Sequence, residues 1–273
     1  MKVIRADFAG FCFGVKRAYR LASEKYTGKV STLGELIHNP EILEELDSKG
    51  VKVENTISKI QKGVVIIRAH GISKKKLREL QQKKVKIVDA SCPFVKRLHR
   101  EAEIFVERGI PVFILGKRKH PELSAVLEDF PEVKIVEKIH KKNYEKYIGQ
   151  KVALLAQTTE RVERFEAFKK FLREIGVRVL AKNTICNATR ERQDAALYLA
   201  TNVDVMIVIG GKNSNNTKQL FDLTSELTQS FWIESEKNLQ KKWFEKTKKV
   251  GITAGASTPE RVIERVERRL NSF

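Results

Sequence analysis

The chain has 273 residues, enough for about two domains' worth of core, and its 53 Lys and Arg outweigh 34 Asp and Glu. The net charge of +19 points to an acidic partner, nucleic acid or an anionic substrate. No apolar run reaches the roughly 18 to 20 residues of a membrane span, the opening Met1-Lys2-Val3-Ile4 reads as a strand rather than a targeting peptide, and three cysteines do not make a disulfide framework. A cytoplasmic protein with no membrane span is expected.

Short β-branched strands alternate with amphipathic helices, the pattern of parallel α/β sheets. A strand over Lys2 to Ala6 leads to Cys12, followed by helix Val15 to Glu24, strand Val30 to Leu33 and helix Glu41 to Lys49. Strand Val64 to Arg68, helix Lys74 to Lys83 and strand Lys86 to Asp89 lead to Cys92. The order then returns: helix Phe94 to Arg108, strands Val112 to Leu115, Val133 to Val136 and Val152 to Ala156, helix Glu160 to Ile175, strand Val177 to Ala181. After Cys186 it returns again: helix Ala188 to Leu199, strand Val205 to Ile209, helix Thr217 to Gln229, strands Phe231 to Ile233 and Lys249 to Thr253, and helix Pro259 to Leu270.

This recurrence is an internal repeat. The first strand after each cysteine leads to His38, His120 and Ser214, and a later strand leads to His70, Thr158 and Ser257. The repeat implies an α/β fold of three pseudo-threefold-related lobes with mainly parallel sheets, over residues 13–93, 94–185 and 186–273. The third unit ends in a helix where the others end in a strand, so strand 1–12 is expected to complete it. Ligands bind at the carboxyl ends of parallel strands, so the three cysteines and the polar strand ends are expected around one pocket.

Each cysteine stands between a strand and a helix with cations in its first turns: Phe11-Cys12-Phe13-Gly14-Val15-Lys16-Arg17, Cys92-Pro93-Phe94-Val95-Lys96-Arg97 and Cys186-Asn187-Ala188-Thr189-Arg190-Glu191-Arg192. Helix N-termini favour thiolate over thiol, and thiolate binds metal or attacks. A free cysteine is most often a small buried hydrophobe, but three in equivalent places of a repeat argue against that reading. Structural zinc favours four ligands in close pairs, which are absent. An iron–sulfur cluster accepts thiolates far apart in sequence, and three cysteines would leave one iron of a cubane open to substrate.

His99 falls on a helix and His140 in a lysine-rich stretch, so both are expected on the solvated surface. His38, His70 and His120 each follow a strand in a Gly-containing turn, where capping is the plain role and N–H donation to phosphate the functional one. Asn213-Ser214-Asn215-Asn216-Thr217 reads as a helix N-cap and as a phosphate site alike. Gly251-Ile252-Thr253-Ala254-Gly255-Ala256-Ser257 is a second such turn, and neither has a Walker A ending. The lysines are scattered with no aromatic-interleaved basic motif, which disfavours nucleic acid. A redox-sensing or electron-carrier protein would explain the cysteines but not the polar strand ends.

Together these stretches resemble the LytB/IspH family of 4-hydroxy-3-methylbut-2-enyl diphosphate reductases, of the non-mevalonate (MEP) isoprenoid pathway. The resemblance runs through Gly10-Phe11-Cys12-Phe13-Gly14-Val15, His38-Asn39, Ala69-His70-Gly71, Asp89-Ala90-Ser91-Cys92-Pro93, His120-Pro121-Glu122, Gln157-Thr158-Thr159, Thr184-Ile185-Cys186, Asn213 to Asn216 and Thr253-Ala254-Gly255-Ala256-Ser257. It implies a three-lobed α/β fold around a central 4Fe-4S cluster held by Cys12, Cys92 and Cys186. By the same resemblance, His38, His70, His120, Ser214, Asn215, Asn216 and Ser257 surround the diphosphate, while Glu122 and Thr158 face the allylic alcohol. Asn215 stands where many members carry a second serine. The implied reaction removes the hydroxyl as water with two electrons and two protons, giving isopentenyl and dimethylallyl diphosphates. An acidic electron donor, ferredoxin or flavodoxin, is the expected partner of a monomer.

Overall fold

The computed structural model describes residues 1–273 except His38 and the side chain of Lys141. The chain opens with β1 (Lys2–Arg5) and α1 (Phe13–Ser23). Then follow β2 (Val30–Leu33), α2 (Pro40–Ser48), β3 (Val51–Glu54), β4 (Gly63–Ile67), α3 (Lys74–Gln81) and β5 (Val85–Asp89). The middle of the chain forms α4 (Pro93–Glu107), β6 (Val112–Leu115), α5 (Pro121–Asp129), β7 (Lys134–Val136), β8 (Lys151–Ala156), α6 (Val162–Glu174) and β9 (Arg178–Ala181). Last come α7 (Asn187–Ala200), β10 (Val205–Ile209), α8 (Asn215–Ser225), β11 (Gln229–Ile233), β12 (Lys249–Ala254) and α9 (Glu260–Asn271).

The described strands make three parallel four-stranded sheets, ordered β3-β2-β4-β5, β7-β6-β8-β9 and β11-β10-β12-β1. One topology is therefore used three times, and in the third sheet the place of β5 and β9 is taken by β1, paired to β12 in register Lys2↔Lys249. Central strands have both faces covered, so they read as continuous apolar runs such as Val-Phe-Ile-Leu in β6 and Val-Met-Ile-Val-Ile in β10.

Strand alternation sorts those runs onto two faces. In the second sheet Phe113, Leu115, Val152, Leu154 and Ala156 pack against Phe165, Phe168 and Leu172 of α6. Val112, Ile114, Ala153 and Leu155 face Leu98, Ala102 and Phe105 of α4 and Leu123 and Val126 of α5. The apolar positions of α4 recur three, four and three residues apart, so one helical stripe meets the sheet. Each such Leu or Phe contributes about 1.5–3 kcal/mol by burial. In the third sheet Val262, Ile263, Val266 and Leu270 of α9 cover the face made by Val205, Ile207, Ile209, Val250 and Ile252.

Two compact units result: Met1–Arg17 with Ile37–Ser48 and Asn187–Phe273, and Ala18–Leu36 with Lys49–Cys186. The third sheet lies in the first unit and the other two sheets in the second. Helix α2, within the stretch 13–93, makes its contacts in the unit of the third sheet. Arg261 and Arg265 of α9 reach its Glu41 at 2.5 and 2.7 Å, Arg261 also takes Glu45 at 2.7 Å, and Arg265 takes Glu236 at 3.1 Å. Isolated exposed pairs contribute little, but five side chains sharing partners act as a network.

His99, expected on the solvated surface, is instead part-buried with Nδ1 3.8 Å from Asp129, and burial lowers its pKa. His140 is exposed. No helix among the described residues is long and apolar enough to cross a membrane.

Candidate functional site

The three cysteines follow strands β1, β5 and β9 and stand immediately before α1, or at the head of α4 and α7. Each is tied by its main chain in the same way. The Cys12 N–H donates to the Ala256 carbonyl at 3.2 Å, that of Cys92 to Ala69 at 2.9 Å, and that of Cys186 to Thr158 at 3.0 Å. The three acceptors each lie two residues past a strand, β12, β4 and β8 respectively. The Cys12 and Cys92 carbonyls accept the first helical N–H groups, from Lys16 and Lys96, and the Val15 N–H approaches Cys12 Sγ at 3.5 Å. All three thiols are free of disulfides and partly exposed, each immediately before a helix. Cys12 belongs to the unit of the third sheet, Cys92 and Cys186 to the other.

Arg192, one of the cations in the first turns after Cys186, has a further role, anchoring the loop before Cys12. Buried on α7, it donates to the Gly10 carbonyl at 2.7 Å and to the Ala188 carbonyl at 2.9 Å. Gly10 has φ +90°, and a Cβ there would lie 2.9 Å from Ile263 Cδ1, so the loop packs on α9 only with glycine. A signal existed: Arg192 and Gln193 share the buried stripe of Thr189, Ala196 and Leu199, where a cation must find hydrogen bonds.

In the second unit the ends of β6 and β8 assemble an acid. His120 caps α5, its Nδ1 accepting from the Glu122 N–H at 3.3 Å, so its capping and donor roles are compatible. Pro121 at the first helical position starts α5 and turns Glu122 inward, where it is 1 % exposed. Its carboxylate accepts from the Thr158 N–H and from the Thr158 hydroxyl, both at 2.9 Å. Burial raises the Glu122 pKa to about 7, with the two Thr158 hydrogen bonds pulling the other way. His70 completes the group, its ring meeting that of His120 edge-on with centroids 5.2 Å apart. The Thr158 carbonyl, next to the acid, holds Cys186, and the carbonyl of Ala69, which precedes His70, holds Cys92.

In the first unit the ends of β10 and β12 assemble an anion cradle. Ser214 caps α8 by accepting from the Thr217 N–H at 3.2 Å, and Asn215 and Asn216 form its first turn. The turn presses on the loop after β12, where a Cβ at Gly255 would lie 2.1 Å from Thr217 Oγ1. That loop holds Cys12 through Ala256 and carries Ser257, which is buried like Ser214, Asn215 and Asn216. Asn216 is 5 % exposed, and neither its Oδ1 nor its Nδ2 has a hydrogen-bond partner among the described residues. Such a group is costly unless a ligand satisfies it, which is the strongest sign of a polar ligand at this helix N-terminus. His38 lies outside the described residues; its neighbour Asn39 caps α2, accepting from the Ile42 N–H at 3.1 Å.

Residues 3–271 match the family model described as LytB protein. A 4-hydroxy-3-methylbut-2-enyl diphosphate reductase of Wolinella succinogenes is 45% identical over 276 residues, covering 100% of this chain and 99% of that protein. The reductase of that name from Aquifex aeolicus is 41% identical, covering 99% and 96%. A solved structure of (E)-4-hydroxy-3-methyl-but-2-enyl diphosphate reductase, the terminal enzyme of the non-mevalonate pathway, superposes with a TM-score of 0.70 at 40% identity over 100% of both chains. The E-1-hydroxy-2-methyl-but-2-enyl-4-diphosphate reductase of Plasmodium falciparum has the same fold, with a TM-score of 0.89 at 23% identity over 99% of this chain and 87% of that one. Matched along nearly its whole length, the chain belongs to the LytB protein family.

Proposed function

We propose that this chain reduces (E)-4-hydroxy-3-methylbut-2-enyl diphosphate to isopentenyl and dimethylallyl diphosphates, the last step of the non-mevalonate pathway, as a cytoplasmic monomer of three lobes, 13–93, 94–185 and 186–273 with strand 1–12. The reading rests above all on Glu122, a buried carboxyl with a pKa of about 7, clamped by Thr158, whose carbonyl in turn accepts from the Cys186 N–H. The reaction takes up two electrons and two protons, replaces C–OH by C–H and releases water. It therefore needs a proton source, an anion site and a redox group.

Cys12, Cys92 and Cys186 would hold a 4Fe-4S cluster. The donor set fits: three unbridged, partly exposed thiols at helix starts, each with its main chain fixed by a strand-end carbonyl. When bound, the cluster supplies electrons and an iron that acts as Lewis acid toward the C–O bond. Glu122 supplies the proton that turns the poor leaving group hydroxide into water, and the Thr158 hydroxyl orients the alcohol and can relay that proton. Ser214, Asn215, Asn216 and Ser257, with His38, His70 and His120, bind the diphosphate. Binding energy there, remote from the reacting carbon, fixes the alcohol against the acid. Electrons come from a small acidic donor, ferredoxin or flavodoxin.

Anaerobic purification tests the whole reading: a brown protein containing iron and sulfide should convert the allylic diphosphate when reduced, and a colourless protein without turnover would end it. The anion cradle has its own test. Asn216→Leu should raise the melting temperature of the ligand-free protein, because a buried unsatisfied amide costs about 1–3 kcal/mol. The same change should weaken diphosphate binding about 10- to 100-fold by removing a hydrogen bond to a charged group. Calorimetry of unfolding and titration with the substrate give the two signs, and unchanged affinity would take Asn216 out of the site.

A further inference from the structure

The free edge of β9 forms the floor of a groove of about 700 Å³ on the second sheet, with α4 on one side and α6 on the other. Arg108 at the foot of α4, Lys169 and Arg173 on α6, and Lys182 just past β9 line it, against one carboxylate, Glu101. Arg108, Arg173 and Lys182 are exposed and make no ion pair with any described residue, whereas Lys169 is shared with Glu166. In the floor lies Leu180, 38% exposed.

Lysines on an edge strand commonly serve only to prevent strand-to-strand aggregation, and Arg178 and Lys182 suffice for that. Arg108 and Arg173 stand on helices covering opposite faces of the sheet, so edge protection does not account for them. A single-stranded nucleic acid would call for exposed aromatic faces, but the one aromatic ring lining the groove, Phe105, is buried. Unpaired cations around an exposed leucine suit instead the acidic rim and apolar centre of a protein surface.

The groove also has a direction. Lys182 is four residues from Cys186, so its Cα lies at most about 14 Å from that cysteine's. The intervening loop is held at Asn183, whose carbonyl accepts from Arg97 at 3.0 Å, and at Thr184, whose hydroxyl donates to the Ala156 carbonyl at 2.5 Å. A partner seated here is therefore joined to a cysteine by a short, fixed stretch of chain.

We propose that this groove is the docking surface for the acidic protein that delivers electrons, a proposal that rests on the reductase reading above. Arg108, Arg173 and Lys182 steer and seat the donor, and electrons leave it one at a time, each oxidising the donor by one unit, on the side of the protein that carries Cys186.

The test uses the cluster-loaded protein with two probes, a reduced acidic ferredoxin and a reduced flavodoxin, and a small viologen as control reductant. In the variant combining Arg108→Glu, Arg173→Glu and Lys182→Glu, kcat/KM for the protein donors should fall at least about tenfold, the low end of electrostatic steering. Turnover with the viologen should stay within about twofold, as for exposed surface changes. A second variant with Gln at the three positions should fall in between and flatten the salt dependence of the protein-driven rate. Binding is read separately by carbodiimide cross-linking, which should join donor carboxylates to Lys169 and Lys182. Wild-type donor kinetics in the charge-reversed variant, cross-links confined to other lysines, or no binding of either probe by the wild type would overturn the proposal. Failure of the wild type with the viologen would instead defeat the reductase reading, while the cross-links still decide whether the groove docks an acidic protein.

Discussion

Glu122→Gln should keep its cluster and bind the diphosphate nearly as well as wild type, yet lose at least about 10²-fold in turnover, within the 10² to 10⁴ that general acids contribute. The variant should fold because the amide fits the same partners. Its oxygen can accept from the Thr158 N–H while its NH₂ donates to the Thr158 hydroxyl, which rotates to accept, so no buried polar group is orphaned. What the amide cannot do is release an acidic proton. If Glu122 were only a structural bridge between α5 and the loop after β8, turnover would hardly change. Substrate affinity and single-turnover product formation on one preparation separate the cases, and near-wild-type product formation would move the acid role to a water or to the substrate's diphosphate. Thr158→Ala should be milder, since it removes an orienting hydroxyl and leaves the acid.

The pKa of Glu122 gives that experiment a pH signature. With the carboxyl at about 7, the proton-bearing form dominates below neutrality, so the single-turnover rate should fall as pH rises through about 7 in wild type. The Gln variant should lack that step. Stability carries the same sign. The folded state holds this proton to higher pH than the unfolded chain, whose glutamate titrates near 4.5, so the folded state binds more protons between the two values. Stability from this site is fully present below about 4.5 and is lost as pH rises to about 7, by about 3 kcal/mol. The variant should show a flatter stability profile across that window.

Sequence pattern reached the repeat because central strands are buried on both faces and read as unbroken apolar runs. It reached less where short elements carry mixed patterns. Val51-Lys52-Val53-Glu54 is an edge strand of four residues, too short for alternation to stand out, and α5 begins at Pro121, a residue that also ends structure. The cysteines and the strand-end serines stood out as candidates because chemistry-bearing residues recurred at equivalent places, whereas Glu122 entered only through the family resemblance. The raised pKa of Glu122 was not legible, since it follows from burial against Thr158, 36 residues away. Nor was the placement of α2, which depends on Glu41 and Glu45 meeting arginines more than 200 residues later. His99 was misjudged because its helix face turns toward Asp129 of α5, an element the sequence reading lacked.

Replacing Cys12, Cys92 or Cys186 singly with Ala should abolish stable cluster binding in each case. The expectation rests on equivalence: all three cysteines use their main-chain N–H in the same bond to a strand-end carbonyl, and none of the three thiols is in a disulfide. The substitution keeps that bond, because it belongs to the main chain, and removes only the sulfur. Part-exposed positions also leave no large cavity, so the fold should survive with a loss of about 1 kcal/mol, typical of a single substitution. A cluster resting on three thiolates has no spare ligand, and with two it should be lost to solvent during anaerobic purification. Cys→Ser variants should likewise weaken binding while changing volume least, which separates loss of a ligand from loss of packing. Iron and sulfide content, with far-ultraviolet circular dichroism as the control for folding, reads the outcome. A folded variant with full iron and sulfide would remove its cysteine from the ligand set and break the threefold equivalence on which the cluster assignment stands.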